Sequence, residues 1–309
     1  MRSLFITLFL FVLTPFAFSQ TSSALYLDKY RFPVDDKSEA TTYLSVSDSV
    51  TGHYIVREFD MNGALKSKGA YIDRDLFTRE GMFVTYYNTG KVKSEISYDA
   101  NNPTGTSKFW YRNGQLKERR TYNKMKMEVQ SFYDSLGNEI VNDGEGTYTV
   151  EEEDYNGDIE LSLVGPVKNG KRHGLWTGYE PDGTMYCKEE YKDGELVKGV
   201  SYDGKKEFKY KTVDDLEFYK KWMTHIKNNL RYPANARRMG IQGTVYVRLF
   251  IDREHNVKKA IVIKSVSDDL DAETVKVLKD TGFKFGPVRK RGQPYYQPMF
   301  VAPLKFKLN

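Results

Sequence analysis

The chain has 309 residues, of which 39% are hydrophobic, 29% charged and 14% aromatic, and its formal net charge is +5. This composition is globular and about two domains long, which excludes a disordered chain and a protein of many membrane spans. The single cysteine, Cys187, excludes an internal disulfide framework and a cysteine-rich zinc site. The four histidines (His53, His173, His225, His255) stand singly, so no metal centre, bound cofactor or histidine-based triad is expected.

Residues 1–19 have the layout of an export signal. Arg2 supplies the positive charge, Leu4 to Phe18 is largely apolar, and Ala17 and Ser19 are small residues at the −3 and −1 positions of a cleavage site before Gln20. The apolar run is short of the ~20 residues that span a bilayer. The expectation is an exported, periplasmic protein. The alternative is an uncleaved inner-membrane anchor facing the periplasm, and membrane contact is expected only in that case. Residues 20–49 read as a lead-in.

Residues 50–204 read as a repeat array. Gly90, Gly114 and Gly183 are each preceded nine positions earlier by glycine (Gly81, Gly105, Gly174) and followed eight later by tyrosine (Tyr98, Tyr122, Tyr191). Gly63, with Tyr71, joins the set. An aromatic lies four positions before each central glycine (Phe59, Tyr86, Trp110, Tyr179), and an apolar residue two after (Leu65, Val92, Leu116, Met185). A degenerate copy surrounds Gly137. Strand-like runs joined at Asn88-Thr89-Gly90, Arg112-Asn113-Gly114 and Pro181-Asp182-Gly183 predict one β-hairpin per repeat. A lone hairpin cannot bury its aromatic face, whereas stacked neighbours can. The aromatics at the −4 position are expected to share one face and touch neighbouring hairpins. Glu151-Glu152-Glu153-Asp154 reads as a solvated acidic loop, and Cys187 as a half-buried strand residue. These repeats resemble the MORN family in its bacterial variant, best at Asn169-Gly170-Lys171-Arg172-His173-Gly174-Leu175-Trp176. The resemblance implies a binding or scaffolding framework with no reaction of its own.

Residues 205–227 read as a linker running into a helix. Val213, Leu216, Tyr219, Trp222, Met223, Ile226 and Leu230 form an apolar stripe that predicts a helix from about Val213 to Leu230, ended by Pro233. Alternation at Val245, Val247, Leu249 and Ile251 predicts a strand, and Val257 to Val266 a second, paired as a hairpin. A helix follows over Leu270 to Asp280, with Ala272, Val275 and Leu278 facing in, and Tyr295 to Leu308 is extended. The fold class expected is therefore an all-β array of stacked antiparallel hairpins followed by a small α+β domain, α-β-β-α-β with a three-stranded antiparallel sheet.

Residues 228–309 read as the C-terminal domain, and about residues 228 to 308 of it resemble the C-terminal domain of the TonB family. The residues that carry the resemblance include Tyr232-Pro233-Ala234, Gly243-Thr244-Val245, Phe250-Ile251-Asp252, Leu270-Asp271, Gly292-Gln293-Pro294 and Pro303-Leu304-Lys305-Phe306. The resemblance implies that an extended peptide from an outer-membrane receptor or other envelope protein adds as a strand near Pro298–Phe306. The implied partner-binding residues are Tyr296, Pro298, Phe300, Val301, Leu304 and Phe306. A polyproline spacer, usual in that family, is absent: the repeats stand in its place.

From Asn228 to Asn309 there are 16 Lys and Arg against 7 Asp and Glu, a net +9, which leaves −4 for residues 1–227. The excess includes Arg289-Lys290-Arg291. It fits either a solvated face or an acidic peptide, cell-wall polymer or lipid headgroup, and no nucleic-acid motif accompanies it. No nucleophile elbow, zinc-protease motif or phosphate loop occurs, so no catalytic residue is named. The reading is a non-enzymatic binding protein. The alternatives are a membrane-anchored energy transducer of transport across the outer membrane and, more remotely, an unrecognised cell-wall hydrolase.

Overall fold

Seventeen strands of one sheet follow one another along the described chain. The computed structural model describes residues 23–28, 34–48, 52–74, 76–123, 126–153, 158–213, 217–254, 256–279, 288–295 and 299–308. Residues 1–19, the expected export signal, lie outside these. The strands are β1 (Ser23–Leu27), β2 (Thr42–Asp48), β3 (Tyr54–Asp60), β4 (Leu65–Tyr71), β5 (Arg79–Tyr86), β6 (Val92–Asp99), β7 (Asn102–Trp110), β8 (Leu116–Asn123) and β9 (Lys126–Tyr133). They continue with β10 (Glu139–Asn142), β11 (Glu145–Glu153), β12 (Ile159–Lys168), β13 (Lys171–Arg172), β14 (Gly174–Tyr179), β15 (Met185–Lys192), β16 (Glu195–Asp203) and β17 (Lys206–Tyr210). Successive strands pair antiparallel, and β12 takes both the two-residue β13 and β14 on one side. The sheet outruns the expected 50–204 at both ends. The lead-in supplies β1 and β2, and the supposed linker supplies β17.

The repeat spacing is the hairpin register. Gly81 faces Tyr98, Gly105 faces Tyr122 and Gly174 faces Tyr191 across their hairpins, and Tyr54 faces Tyr71 in the copy around Gly63. The −4 aromatics face the +2 apolar residues: Phe59 with Leu65, Tyr86 with Val92, Trp110 with Leu116, Tyr179 with Met185. Each turn closes the same way; Tyr87 N donates to Lys91 O at 2.9 Å and Gly90 N to Tyr87 O at 2.9 Å. Gly90 sits at φ +79°, the left-handed conformation that a three-residue hairpin loop requires and that glycine adopts without steric cost.

The −4 aromatics are not the core. Phe59, Tyr86 and Trp110 are half-buried and Tyr179 is 37% exposed. A register shift beside each of them places the ring at the rim of its hairpin. The buried row is instead Phe132, Tyr148, Trp176 and Tyr191, edge-to-face at 5.2, 6.3 and 6.1 Å. Trp176 and two further rings lie over glycines of the adjacent strand. A Cβ added to Gly69 would meet the Phe83 ring at 2.4 Å, one on Gly165 the Trp176 ring at 2.4 Å, and one on Gly199 the Tyr210 ring at 2.3 Å. Cys187 is fully buried rather than half-buried.

The C-terminal part is α+β. It comprises α1 (Glu217–Asn229), α2 (Ala234–Arg238), β18 (Gly243–Ile251), β19 (Val257–Lys264), α3 (Asp268–Leu278), β20 (Val288–Lys290), β21 (Gln293–Tyr295) and β22 (Met299–Phe306). The short α2 and the hairpin β20–β21 are additions to the expected element order. The three-stranded sheet runs β19-β18-β22, all antiparallel. Its core joins Trp222 and Ile226 of α1 to Val245, Val247 and Leu249 of β18 and Ala302, Leu304 and Phe306 of β22. From α3 the buried residues are Leu270, Thr274, Val277 and Leu278, while Val275 is half-buried and Ala272 exposed. The inward stripe counts from Leu270 in steps of four, three and one, a phase that the expected stripe missed. Ser267 caps the helix by accepting from Leu270 N at 3.4 Å, with Asp268, Asp269 and Asp271 favourable in its first turn.

Candidate functional site

Strand β22 alternates cleanly, because successive side chains of a strand point to opposite faces. Ala302, Leu304 and Phe306 turn into the core, and Val301, Pro303 and Lys305 turn out. In the three-stranded sheet β22 pairs with β18 and lies at the edge. Pro303, opposite Tyr246, has no N–H to donate, and prolines within sheets are confined to edges and bulges. Beside this strand a groove of about 400 Å³ runs along α1, lined by Met223, Ile226, Lys227 and Leu230 on one side and Pro303, Leu304 and Lys305 on the other.

The residues expected to bind a partner fall into three groups. Val301 is 42% exposed on the outer face. Leu304 and Phe306 are 2% and 3% exposed, so they have little but main chain to offer, and the Phe300 ring packs edge-to-face on Trp222 at 5.2 Å. Tyr296 and Pro298 lie outside the described residues. The contribution of α1 to the groove was missed. Its apolar stripe was visible, but a helix stripe carries no mark that part of it flanks an open groove.

Within the basic run Arg289-Lys290-Arg291, Lys290 and Arg291 have internal acidic partners, contrary to both readings of the run, while Arg289 is exposed and donates to Gly292 O at 3.1 Å. Arg291 is 1% exposed. Its Nε donates to Glu189 Oε1 at 2.8 Å, and its two terminal nitrogens donate to Glu152 at 2.9 and 2.7 Å. Lys290 reaches Glu160 at 2.8 Å and Glu152 at 3.4 Å. Glu152 is thus part of a buried ion-pair cluster, not of a solvated loop. Burial alone would raise its pKa, but the hydrogen bonds and charge of Arg291, helped by Lys290, outweigh that and hold it below the usual glutamate value. The hairpin is tied in further: Arg291 N donates to Val213 O, Ser201 Oγ to Arg291 O at 2.7 Å, and Gln293 Nε2 to Ser201 Oγ at 2.9 Å and Tyr202 O at 3.1 Å. A second contact sets Phe77, in the loop between β4 and β5, against Tyr246 of β18 with ring centroids 4.3 Å apart, beside Lys264 and Asp73 at 3.9 Å.

The edge strand, its register on β18 and the core behind it meet a matching family. Residues 228–308 match the family described as Gram-negative bacterial TonB protein C-terminal. This stretch is TonB-like. Residues 79–100, 103–124 and 172–193 match the MORN repeat variant, each match opening two residues before the strand glycine that faces a tyrosine. Protein TonB of Vibrio cholerae serotype O1 is 33% identical over 80 residues, which are 26% of this chain and 32% of that protein. The chain therefore matches about a third of the length of this TonB relative. No helix among the described residues is long and apolar enough to cross a membrane.

Proposed function

We propose that this is a non-enzymatic protein of the bacterial envelope, exported to the periplasm, whose TonB-like domain takes an extended peptide of a partner protein as an added strand on β22. The observation that carries the reading is the position of β22: an edge strand with an apolar groove along it. An edge offers unpaired backbone groups as a template, and a flanking groove offers room for alternate side chains of the guest. Val301, Pro303 and Lys305 face outward here, while Leu304 and Phe306 serve through their main chain. Lys227 and Lys305 at the groove favour a guest with an acidic residue beside its apolar ones. An outer-membrane receptor segment is the partner that the family resemblance favours. Both matched kinds of domain, TonB C-terminal and MORN variant, are non-catalytic, which supports a binding role.

The test is hydrogen exchange on the full-length chain, with and without a synthetic peptide carrying the periplasmic N-terminal segment of an outer-membrane receptor. Strand addition slows exchange of amides in Met299–Phe306 and leaves β19, the opposite edge, unchanged. Equal protection of β19, or none anywhere at millimolar peptide, overturns the reading.

A further inference from the structure

Three glutamates are buried within hairpin strands of the array, Glu58 in β3 at 7% exposure, Glu118 in β8 at 2% and Glu189 in β15 at 0%, and the last two are the most enclosed. A buried carboxylate requires a cation and hydrogen bonds. Glu118 is served locally: Arg120, two residues along the same strand, lies at 2.5 Å, and Tyr148 also donates to it. At Glu189 the residue two further on is Tyr191, which donates a hydrogen bond at 2.8 Å but brings no charge. Tyr210 donates another at 2.8 Å, and Arg172 stands off at 4.0 Å. The close cation is Arg291, from the C-terminal domain.

The backbone of Arg291 is built for this contact. It occupies the first central position of the two-residue turn between Lys290 and Gln293, at φ +53°, with Gly292 at φ +78°. Such turns favour asparagine, aspartate or glycine at that place, because a side chain there is strained. A strained, buried arginine at a turn tip, each of whose three side-chain nitrogens donates to a carboxylate, is a placed ligand, since strain persists where the surroundings over-determine it. Its fork meets Glu152 with both terminal nitrogens while Nε meets Glu189, a geometry that an ammonium group cannot reproduce.

The geometry points to a guanidinium-binding site on the array, formed by Glu152 of β11 and Glu189 of β15, with Tyr210 holding Glu189 and Ser201 holding the main-chain carbonyl of the turn, whose ligand is Arg291 of the chain's own C-terminal domain. Occupancy of that site, together with the Phe77–Tyr246 contact, fixes the C-terminal domain on the array. The site stands on its own geometry; that it thereby aims β22 at a partner rests on the function proposed above.

The experiment uses the full-length chain carrying spin labels at Leu136→Cys in the array and Met239→Cys in the C-terminal domain, positions 84% and 72% exposed. Cys187 is buried and stays unlabelled. The unmodified site gives a narrow distribution of label distances. Arg291→Gly, which suits the positive φ, is expected to broaden it about twofold, since relative motion is the default for domains without a holding interface. Added ethylguanidinium narrows the distribution again, while ethylammonium and Arg291→Lys do not. Should Arg291→Gly fail to fold, Glu152→Gln removes the bidentate partner at a half-exposed position and is expected to broaden the distribution as well. A distribution that stays narrow in the folded variant, or equal rescue by ethylammonium, overturns the site. No peptide enters this measurement, so it stands or falls apart from strand addition on β22.

Discussion

Arg291 and Glu189 lie 102 residues apart in the chain and meet at 2.8 Å, both buried. The contact joins the tip of the hairpin β20–β21 to the middle strand of a β-meander. It makes the strand chemistry of β15 depend on a residue that the array does not contain.

Removing one partner of a buried ion pair leaves an uncompensated charge, which costs about 3–5 kcal/mol. Arg291→Met is therefore expected to destabilise the chain by about that amount, and the double variant Arg291→Met with Glu189→Gln by less than the sum of the singles. Urea unfolding of the four proteins measures the coupling. Additive single effects would show that the two groups do not support each other.

Trp176 is fully buried and Trp110 half-buried at the rim of its hairpin. Trp176→Ala is expected to cost about 3–5 kcal/mol, and Trp110→Ala distinctly less. Thermal unfolding followed by circular dichroism ranks them. The opposite order would return the core to the −4 aromatics.

Acid should loosen the contact between domain and array. The pKa of Glu152 is held below its ordinary 4.5 in the folded chain. A depressed carboxylate contributes stability that is fully present above the unfolded value and is lost as pH falls through the folded one. The stability difference between the unmodified chain and Glu152→Gln should then stay flat from neutral pH down to about 4.5 and shrink below it. Equilibrium unfolding at a series of pH values checks this, and a difference that grows on acidification contradicts it.

Burial pushes the Cys187 thiol up to about 11, with the Glu189 carboxylate adding to the rise against the opposing charge of Arg291. The thiolate is the reactive form. In the folded chain iodoacetamide at pH 8 should leave Cys187 unmodified, and in urea it should react fully. Intact mass spectrometry separates the two cases.

The hairpins were legible because register is written in spacing. A glycine nine before the turn and a tyrosine eight after it are cross-strand neighbours, so the sequence interval is the structural pairing. The core of the C-terminal domain was legible in the same way, through the alternation Val245, Val247, Leu249, Ile251. The phase of α3 was not, since Ala272 and Leu270 are both apolar and a short helix gives few turns from which to choose. The Arg291 cluster was invisible for a deeper reason. Its pairs span 102 and 139 residues, no periodicity links such positions, and a basic triplet looks the same whether it meets water or a buried carboxylate. The one available sign was an arginine before Gly292, where a tight turn prefers asparagine.

The rings that lie over Gly69, Gly165 and Gly199 allow parts of the sheet to roof themselves. At these three places a strand lends its aromatic to cover the bare backbone of its neighbour, so that cover there needs no second layer of helices or strands. Growth is then one-dimensional: a hairpin inserted upstream brings its own lid and asks nothing of a facing layer. An architecture of this kind can lengthen or shorten in whole hairpins while the surface on which the C-terminal domain sits keeps its chemistry.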